Sequence, residues 1–461
     1  MILSFTTSSL VADRRASGSR KRFTSILFVL LCSVSVLPGT VIAAEGAIGS
    51  RVTDYFASTT GEVTAFVDFH TKNAGPGLGN ETATFWSELI VKNYVNLFGS
   101  VSLETELVLT VTGPNQQSGT FNTPGVLNPD PAFLEFQTFL LTWQGENTEV
   151  KLGKGVIDLG WAEIYSPVNR FNSIDYSKPQ HFFHRGEIQL SITRFFSSSE
   201  LSLTVLPFNE DFIDPPGSSR WLNSRGDLDF FNQIGSRDED RPHKFPEDWG
   251  YLLKYSGVGD GFDYYIAAHH GPGAYPIVQL KGIVFPPKTI KVYPTATSAM
   301  AGIVVTRGSW SYYTDVIYQK STSAEDDDFV RWASGFSYRE TKLAHRLGLE
   351  EIKPILTYSG QDITEDSDPT VTLFNSEDAR PHPKSLLARL NLRFTDRMLV
   401  YLLASENFDD EDGVVGIGME YQRTDSFRIS AVGTFMRGKD NTQLGRWRAN
   451  DYISVGFHYV F

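Results

Sequence analysis

From about residue 60 to the C-terminus, apolar residues fall on every second position in one short stretch after another. In VSLETELVLT, Val101, Leu103, Leu107 and Leu109 occupy one face, while Ser102, Glu104 and Glu106 occupy the other. In EIQLSITRFF, Ile188, Leu190 and Ile192 alternate with Gln189, Ser191 and Thr193. In LLARLNLRF, Leu386, Ala388, Leu390, Leu392 and Phe394 alternate with Arg389, Asn391 and Arg393. In SFRISAVGTF, Phe427, Ile429, Ala431 and Phe435 alternate with Arg428, Ser430 and Thr434. A period of two predicts β-strands with a single apolar face. The chain stops on such a stretch, DYISVGFHYVF, with Phe461, Tyr459, Phe457, Val455 and Ile453 on one side. After the first few dozen residues helical periodicity is almost absent.

The connections decide how these strands assemble. Short turns are expected at 98–100, 144–147, 197–199, 257–261, 307–309, 341–344, 395–397 and 423–426. Long polar stretches, many rich in Gly and Pro, separate them at 71–82, 113–131, 158–186, 209–248, 271–295, 320–328, 360–384, 409–412 and 438–449. Short and long connections alternate along the whole chain. A soluble sandwich has no reason to keep that rhythm, but a transmembrane barrel does, because its turns are short at one end and its loops long at the other. In lipid every backbone polar group must be paired, and a closed barrel leaves no open edge. The expected fold is all-β: a single antiparallel transmembrane β-barrel of about 18 strands (16–18), with short periplasmic turns and long extracellular loops.

Composition supports this picture. A chain of 461 residues could build a large soluble core, yet its strands are apolar on one side only, and aromatic residues make up 13% of it. At the N-terminus, Arg14, Arg15, Arg20, Lys21 and Arg22 precede the apolar run FTSILFVLLCSVSVL, and Val41 and Ala43 fit a small-residue cleavage site. Residues 1–43 are therefore expected to be an export signal and 44–461 the barrel domain. The run is short for a membrane-spanning helix and is broken by Ser33, Ser35, Pro38 and Gly39. Cys32, the only cysteine, lies inside it, so 44–461 has no disulfide or thiolate metal site. The formal charge is −13; residues 1–43 carry +4, leaving −17 for the remainder, a poor match to nucleic acid.

The terminal alternation, the export signal and the rhythm of connections together resemble the Gram-negative outer-membrane β-barrel superfamily. The resemblance implies that Phe461, Tyr459 and Phe457 form the C-terminal signal read by the barrel-assembly machinery. It also implies a location in the cell outer membrane, with outer-membrane lipid and lipopolysaccharide as surroundings; a homo-oligomer is compatible with the class. Within it, VKLGKGVIDLGWAEIYSPVNRFN is similar to a strand and loop of alginate-export-like and other substrate-specific porins, through Lys151, Gly153, Lys154, Gly160, Trp161, Pro167 and Asn169. The usual Arg and Gln positions of that strand are not matched, so no substrate carries over.

Alternation also assigns an inward face. Its acids fall mainly in the first half: Glu88, Glu104, Glu106, Glu135, Glu149, Glu187, Asp263 and Asp315. Its bases fall mainly in the second: Arg331, Arg339, Arg346, Arg389, Arg393 and Arg428. Opposed arcs of charge would set a transverse field across a pore, and guanidinium groups suit carboxylates and phosphates. The alternative is that these charges pair with one another and solvate the interior; a register slip of one residue would move any of them to the other face. The loop 158–186, with Trp161, Glu163, Tyr165, Arg170 and Asp175, is a candidate inward-folded constriction, or else an ordinary outer loop.

Adjacent His269 and His270 point to opposite faces of a strand and cannot readily share a metal. No metal-loop spacing and no G-x-S-x-G motif occurs, so neither a metal, a cofactor nor an enzyme is expected. Trp249, Tyr251, Trp310, Tyr312, Trp332 and Tyr338 suit interfacial girdles, and Trp86 a sugar slide in the lumen. The expected function is an outer-membrane channel for passive diffusion of small polar or anionic solutes. The alternative is a scaffold barrel, a sleeve for a polysaccharide-export partner or a porin–cytochrome electron conduit.

Overall fold

The computed structural model describes residues 59–72, 82–112, 134–175, 183–207, 220–222, 237–240, 248–273, 277–280, 289–322, 326–367, 372–374, 380–442 and 444–461. The expected export segment 1–43 lies outside these, as do all of 113–131 and most of 209–248.

The half-apolar stretches form eighteen strands of one sheet. They are β1 Thr60–His70, β2 Ala83–Phe98, β3 Val101–Thr112, β4 Leu134–Gln144, β5 Thr148–Gly155 and β6 Glu187–Phe195. Next come β7 Ser199–Leu206, β8 Gly250–Val258, β9 Phe262–Pro272, β10 Thr295–Arg307, β11 Trp310–Ser321 and β12 Asp328–Tyr338. The last six are β13 Glu351–Glu365, β14 Ser385–Thr395, β15 Met398–Asn407, β16 Asp412–Thr424, β17 Phe427–Arg437 and β18 Tyr452–Val460. Each is antiparallel to the next, and β18 pairs with β1, so the sheet closes into a barrel of the expected strand number. Closure leaves no edge strand with unpaired backbone groups.

Register carries one face around the whole barrel. Phe457 of β18 pairs with Ala65 and Ile429, and Leu390 of β14 with Leu402 and Pro354. This face leaves large apolar side chains uncovered, among them Leu253, Ile266, Leu402, Ile417, Phe435 and Ile453. It is the outer belt, whose exposure is costly in water and favourable in lipid. The opposite face carries Glu62 against His458's strand, Arg389 against Ile355, and Asp315 against Ala333.

Phe461 extends the seam between β18 and β1. Phe461 exchanges two backbone hydrogen bonds with Gly61, each 2.9 Å long. Its ring lies over Gly61, where a Cβ would stand 2.2 Å from the Phe461 ring, and stacks with Tyr459 at 6.0 Å. The terminal aromatic thus packs on the outer face of the first strand, which needs a glycine beneath it.

Two features depart from simple alternation. A β-bulge between Glu106 and Leu107 in the pairing with β4 shifts the inward set of β4 by one residue. The connection expected as a short turn at 341–344 is instead the stretch 339–350, which contains a short helix, α1 Lys342–Arg346. At the long-loop end, Arg237–Asp240, Thr289–Val292, Ile277–Leu280 and Thr372–Phe374 form a separate four-stranded sheet from three different connections.

Candidate functional site: the lumen

The interior is not an empty tube. The connection from β5 to β6 turns inward, and Ile157, Leu159, Val168 and Phe171 pack on Leu252, Tyr265, Ala267, Met300, Ile317 and Phe329 of the wall. On the opposite arc, Trp221, Leu444 and Trp447 from two other connections pack on Tyr401, Val432, Met436 and Tyr452. Inward apolar side chains on these arcs are thus covered by the chain's own loops rather than by solute.

The inward segment is latched at its tip. Asp315 Oδ2 accepts hydrogen bonds from the Trp161 and Ala162 amides, both at 2.9 Å, and from Ser166 Oγ at 2.8 Å. Its Oδ1 accepts from the Tyr265 hydroxyl at 2.9 Å. Gly302, opposite Asp315 on β10, makes room for this pair; a Cβ there would stand 2.2 Å from the Tyr265 ring and 2.4 Å from Asp315 Oδ1. Beyond the latch, Glu163 accepts from Ser337 Oγ at 2.5 Å and from Lys353 Nζ at 2.6 Å. The Tyr165 ring lies beneath the Arg331 guanidinium, 5.6 Å away, and meets His382 edge-on. Arg170 donates to Gln319 at 3.2 Å and covers the Phe329 ring at 5.0 Å; Arg380 stacks near the same ring at 4.4 Å. Trp161 is partly exposed near Tyr265. Asp175 is buried in a two-residue pairing with Phe183–His184.

The inward charges fall on two arcs, and several carry a local counter-charge. Glu106 faces Lys92 at 3.6 Å, Glu149 faces Lys151 at 2.8 Å, and Glu135 is held by Lys154 at 3.0 Å and Arg185 at 2.8 Å. Arg428 meets Glu420 at 3.2 Å, and Arg339 meets Glu351 at 2.9 Å at the short-turn rim. Glu62 Oε1 lies 2.6 Å from His458 Nε2. Glu88 is buried against Thr110, while Glu104 stands exposed beside Tyr94. Lys92, Lys151, Lys254 and Lys353 were absent from the expected inward set, although the first three fall on the same alternation as an acid counted there or on the strand beside one, and Lys353 falls two residues from Glu351 on its own strand. Opposite charges spaced two residues apart on one strand, such as Glu149 and Lys151, are the signal that finds them.

Two of the arginines expected together are set apart. Arg346 belongs to α1, outside any barrel strand, because 341–344 is not a tight turn. Arg331 is inward but buried at 1% exposure, its guanidinium donating to the Pro381 carbonyl at 2.5 Å under the segment 380–383. Arg389 and Arg393 remain: both are inward, partly exposed, and without an ion pair among the described residues. Arg389 is aimed by Asn391, whose Oδ1 accepts at 2.7 Å, and by the Tyr401 ring 5.1 Å away. Trp86, the candidate sugar platform, is buried and stacked on Phe66 at 5.1 Å, so its face is taken. His269 is buried against Phe171, while His270 on the outer face bonds Thr297 at 2.9 Å.

No protein-family profile matches the chain, and no curated protein does. Solved structures do. The outer membrane protein OpdK of Pseudomonas aeruginosa matches with a TM-score of 0.50 at 9% identity, over 88% of this chain and 99% of that one. The same protein solved with vanillate gives 0.50 at 10% identity, over 88% and 99%. A BenF-like porin from Pseudomonas fluorescens gives 0.49 at 12% identity, over 87% and 97%. The likeness is one of fold. The chain shares with them the fold of a closed β-barrel, here of 18 strands with an apolar outer belt.

Proposed function

We propose that this protein is a passive channel of the Gram-negative outer membrane for small polar solutes, with a preference for anions. The observation that carries the preference is the pair Arg389 and Arg393 on the inner face of β14, partly exposed and without ion pairs among the described residues, while inward charges such as Glu106, Glu149 and Arg428 have a counter-charge nearby. Charges already paired contribute little field at a distance; unpaired guanidinium groups in a confined lumen contribute most. The inward segment 157–171 is the constriction, held by Asp315 at its tip and by its apolar anchors at its base. Transport then needs no turnover: a carboxylate or phosphate enters from the long-loop end, exchanges part of its hydration for guanidinium contacts, and leaves toward the short-turn end, the periplasmic side.

Purified protein in a planar bilayer tests this. The expected result is discrete single channels whose reversal potential in a salt gradient favours anions. Vanillate, with which OpdK was solved, is a first carboxylate to add; it should interrupt the current. A barrel that inserts but does not conduct would favour the sleeve for a partner instead.

A further inference from the structure

The eight connections at the short-turn end are not alike. Seven leave two or three residues between strands, whereas β12 and β13 are joined by 339–350, which carry α1. Nothing in closing the barrel needs this length, since the other hairpins close without it.

The helix is tied to the outer face. Tyr338, at the end of β12, lies in an outward aromatic cluster, its ring 4.5 Å from Trp310, which in turn stacks on Tyr312 at 5.8 Å and meets Phe336 at 5.6 Å. Its hydroxyl donates to Glu340 Oε2 at 2.7 Å, and Glu340 Oε1 accepts from the Leu343 amide at 2.8 Å. Glu340 also pairs with Ile352 on β13. These contacts, the Leu343 amide first and the Tyr338 hydroxyl second, hold the Glu340 carboxyl below its usual range and keep it charged. One carboxylate thus joins the start of α1 to an aromatic girdle of the kind found where a membrane meets water.

The faces of α1 are sorted. Ala344 is fully buried, while Leu343 and Leu347 are 50% and 62% exposed. At about 100° per residue these leucines form one stripe and Lys342 with Arg346 the next, with Ala344 on the barrel side. Lys342 and Arg346 are exposed, and neither forms an ion pair among the described residues. Glu340 is engaged by the girdle and Glu351 by Arg339, which leaves Glu350 as the remaining acid of the segment. Exposed leucines beside unpaired cations, next to an aromatic girdle, match an interface that is apolar on one side and anionic on the other.

We propose that α1 is a lipid anchor: Leu343 and Leu347 enter the headgroup boundary of the leaflet at the short-turn end, and Lys342 and Arg346 bind phosphates of anionic lipids there. The anchor fixes the depth of β11–β13 in the membrane, the wall that carries Asp315 and Lys353.

The test places a fluorophore on the helix. Leu347→Cys in the full chain with Cys32→Ser is labelled with an environment-sensitive dye and refolded into vesicles of phosphatidylcholine, with or without phosphatidylglycerol, using brominated or ordinary acyl chains. Glu104→Cys, exposed in the lumen, is the aqueous reference. Position 347 should emit to the blue of position 104 and be quenched roughly twofold by brominated chains, more in the anionic vesicles. Lys342→Gln with Arg346→Gln should abolish the difference between the two vesicle types and leave the quenching. Emission at 347 like that at 104, without quenching, in barrels that are folded by heat-modifiable mobility, would overturn the proposal; that outcome also covers a site for a soluble partner. A label at Leu343→Cys gives the same reading if 347 disturbs folding.

Discussion

Asp315→Ala removes the acceptor on which the inward tip closes. Four donors converge on that carboxylate, at 2.8–2.9 Å. The Ser166 and Tyr265 hydroxyls can rotate to new partners, but the Trp161 and Ala162 amides cannot. A fully buried donor left without a partner costs about 1–3 kcal/mol; Trp161 and Ala162 are only partly buried, so the two amides together make the closed tip unfavourable by less than the full sum of roughly 2–6 kcal/mol. At the base, each of Ile157, Leu159, Val168 and Phe171 is buried, worth about 1.5–3 kcal/mol apiece, and none touches the carboxylate's role. The tip should therefore swing into water while the base stays docked. Asp315→Asn is the informative companion. Its oxygen can take the place of Oδ2 and keep three donors, while its amide donates to the Tyr265 oxygen in place of Oδ1. Single-channel recording and limited proteolysis of folded barrels read the outcome. Asp315→Ala should conduct more than the native channel and be cut between 160 and 167, and Asp315→Asn should resemble the native channel in both. Equal behaviour of the two variants, or an Ala variant with native conductance and a protected tip, would refute the latch.

Three further outcomes follow from the register. Leu390→Arg puts a charge at the middle of an outward strand face and should destabilise the barrel by about 2–4 kcal/mol in denaturant-dependent refolding, whereas Arg389→Leu on the inner face should cost much less. Deleting Phe461, or replacing Gly61 by Leu beneath its ring, should reduce the heat-modifiable form in the outer membrane; native levels in both would remove the terminal seam from assembly. Gly302→Val should force the Tyr265–Asp315 pair apart and reproduce the conductance gain of Asp315→Ala.

Much of the barrel was legible because each strand repeats a two-residue period, and a two-residue period assigns both faces at once. Leu390 and Arg389, Ile453 and Ser454, fall where alternation puts them. What alternation cannot show is what lies against the inner face. Asp315 and Arg331 are inward, yet the tip at 161–166 and the segment 380–383 cover them, and those contacts join residues about 50 to 150 positions apart. Nor does a period of two reveal pairing between strands: Lys92 meets Glu106 only once β2 and β3 are in register. The bulge at Glu106 and the helix at 342–346 escape for the same reason, since each interrupts the pattern over only a few residues.

The central claim is that the guanidinium groups of Arg389 and Arg393 on β14, without an ion pair among the described residues, set the preference of the lumen. Replacing Arg389 and Arg393 together by Gln keeps length and hydrogen-bonding capacity while removing both charges. Exposed charges act over about 8–10 Å at physiological salt and farther at low salt, so the effect should grow as salt is lowered. The reversal potential of the double variant, measured across a salt gradient in channels that still conduct, should shift toward cations, and more so in dilute salt. A reversal potential equal to that of the native channel at every salt concentration would contradict the account.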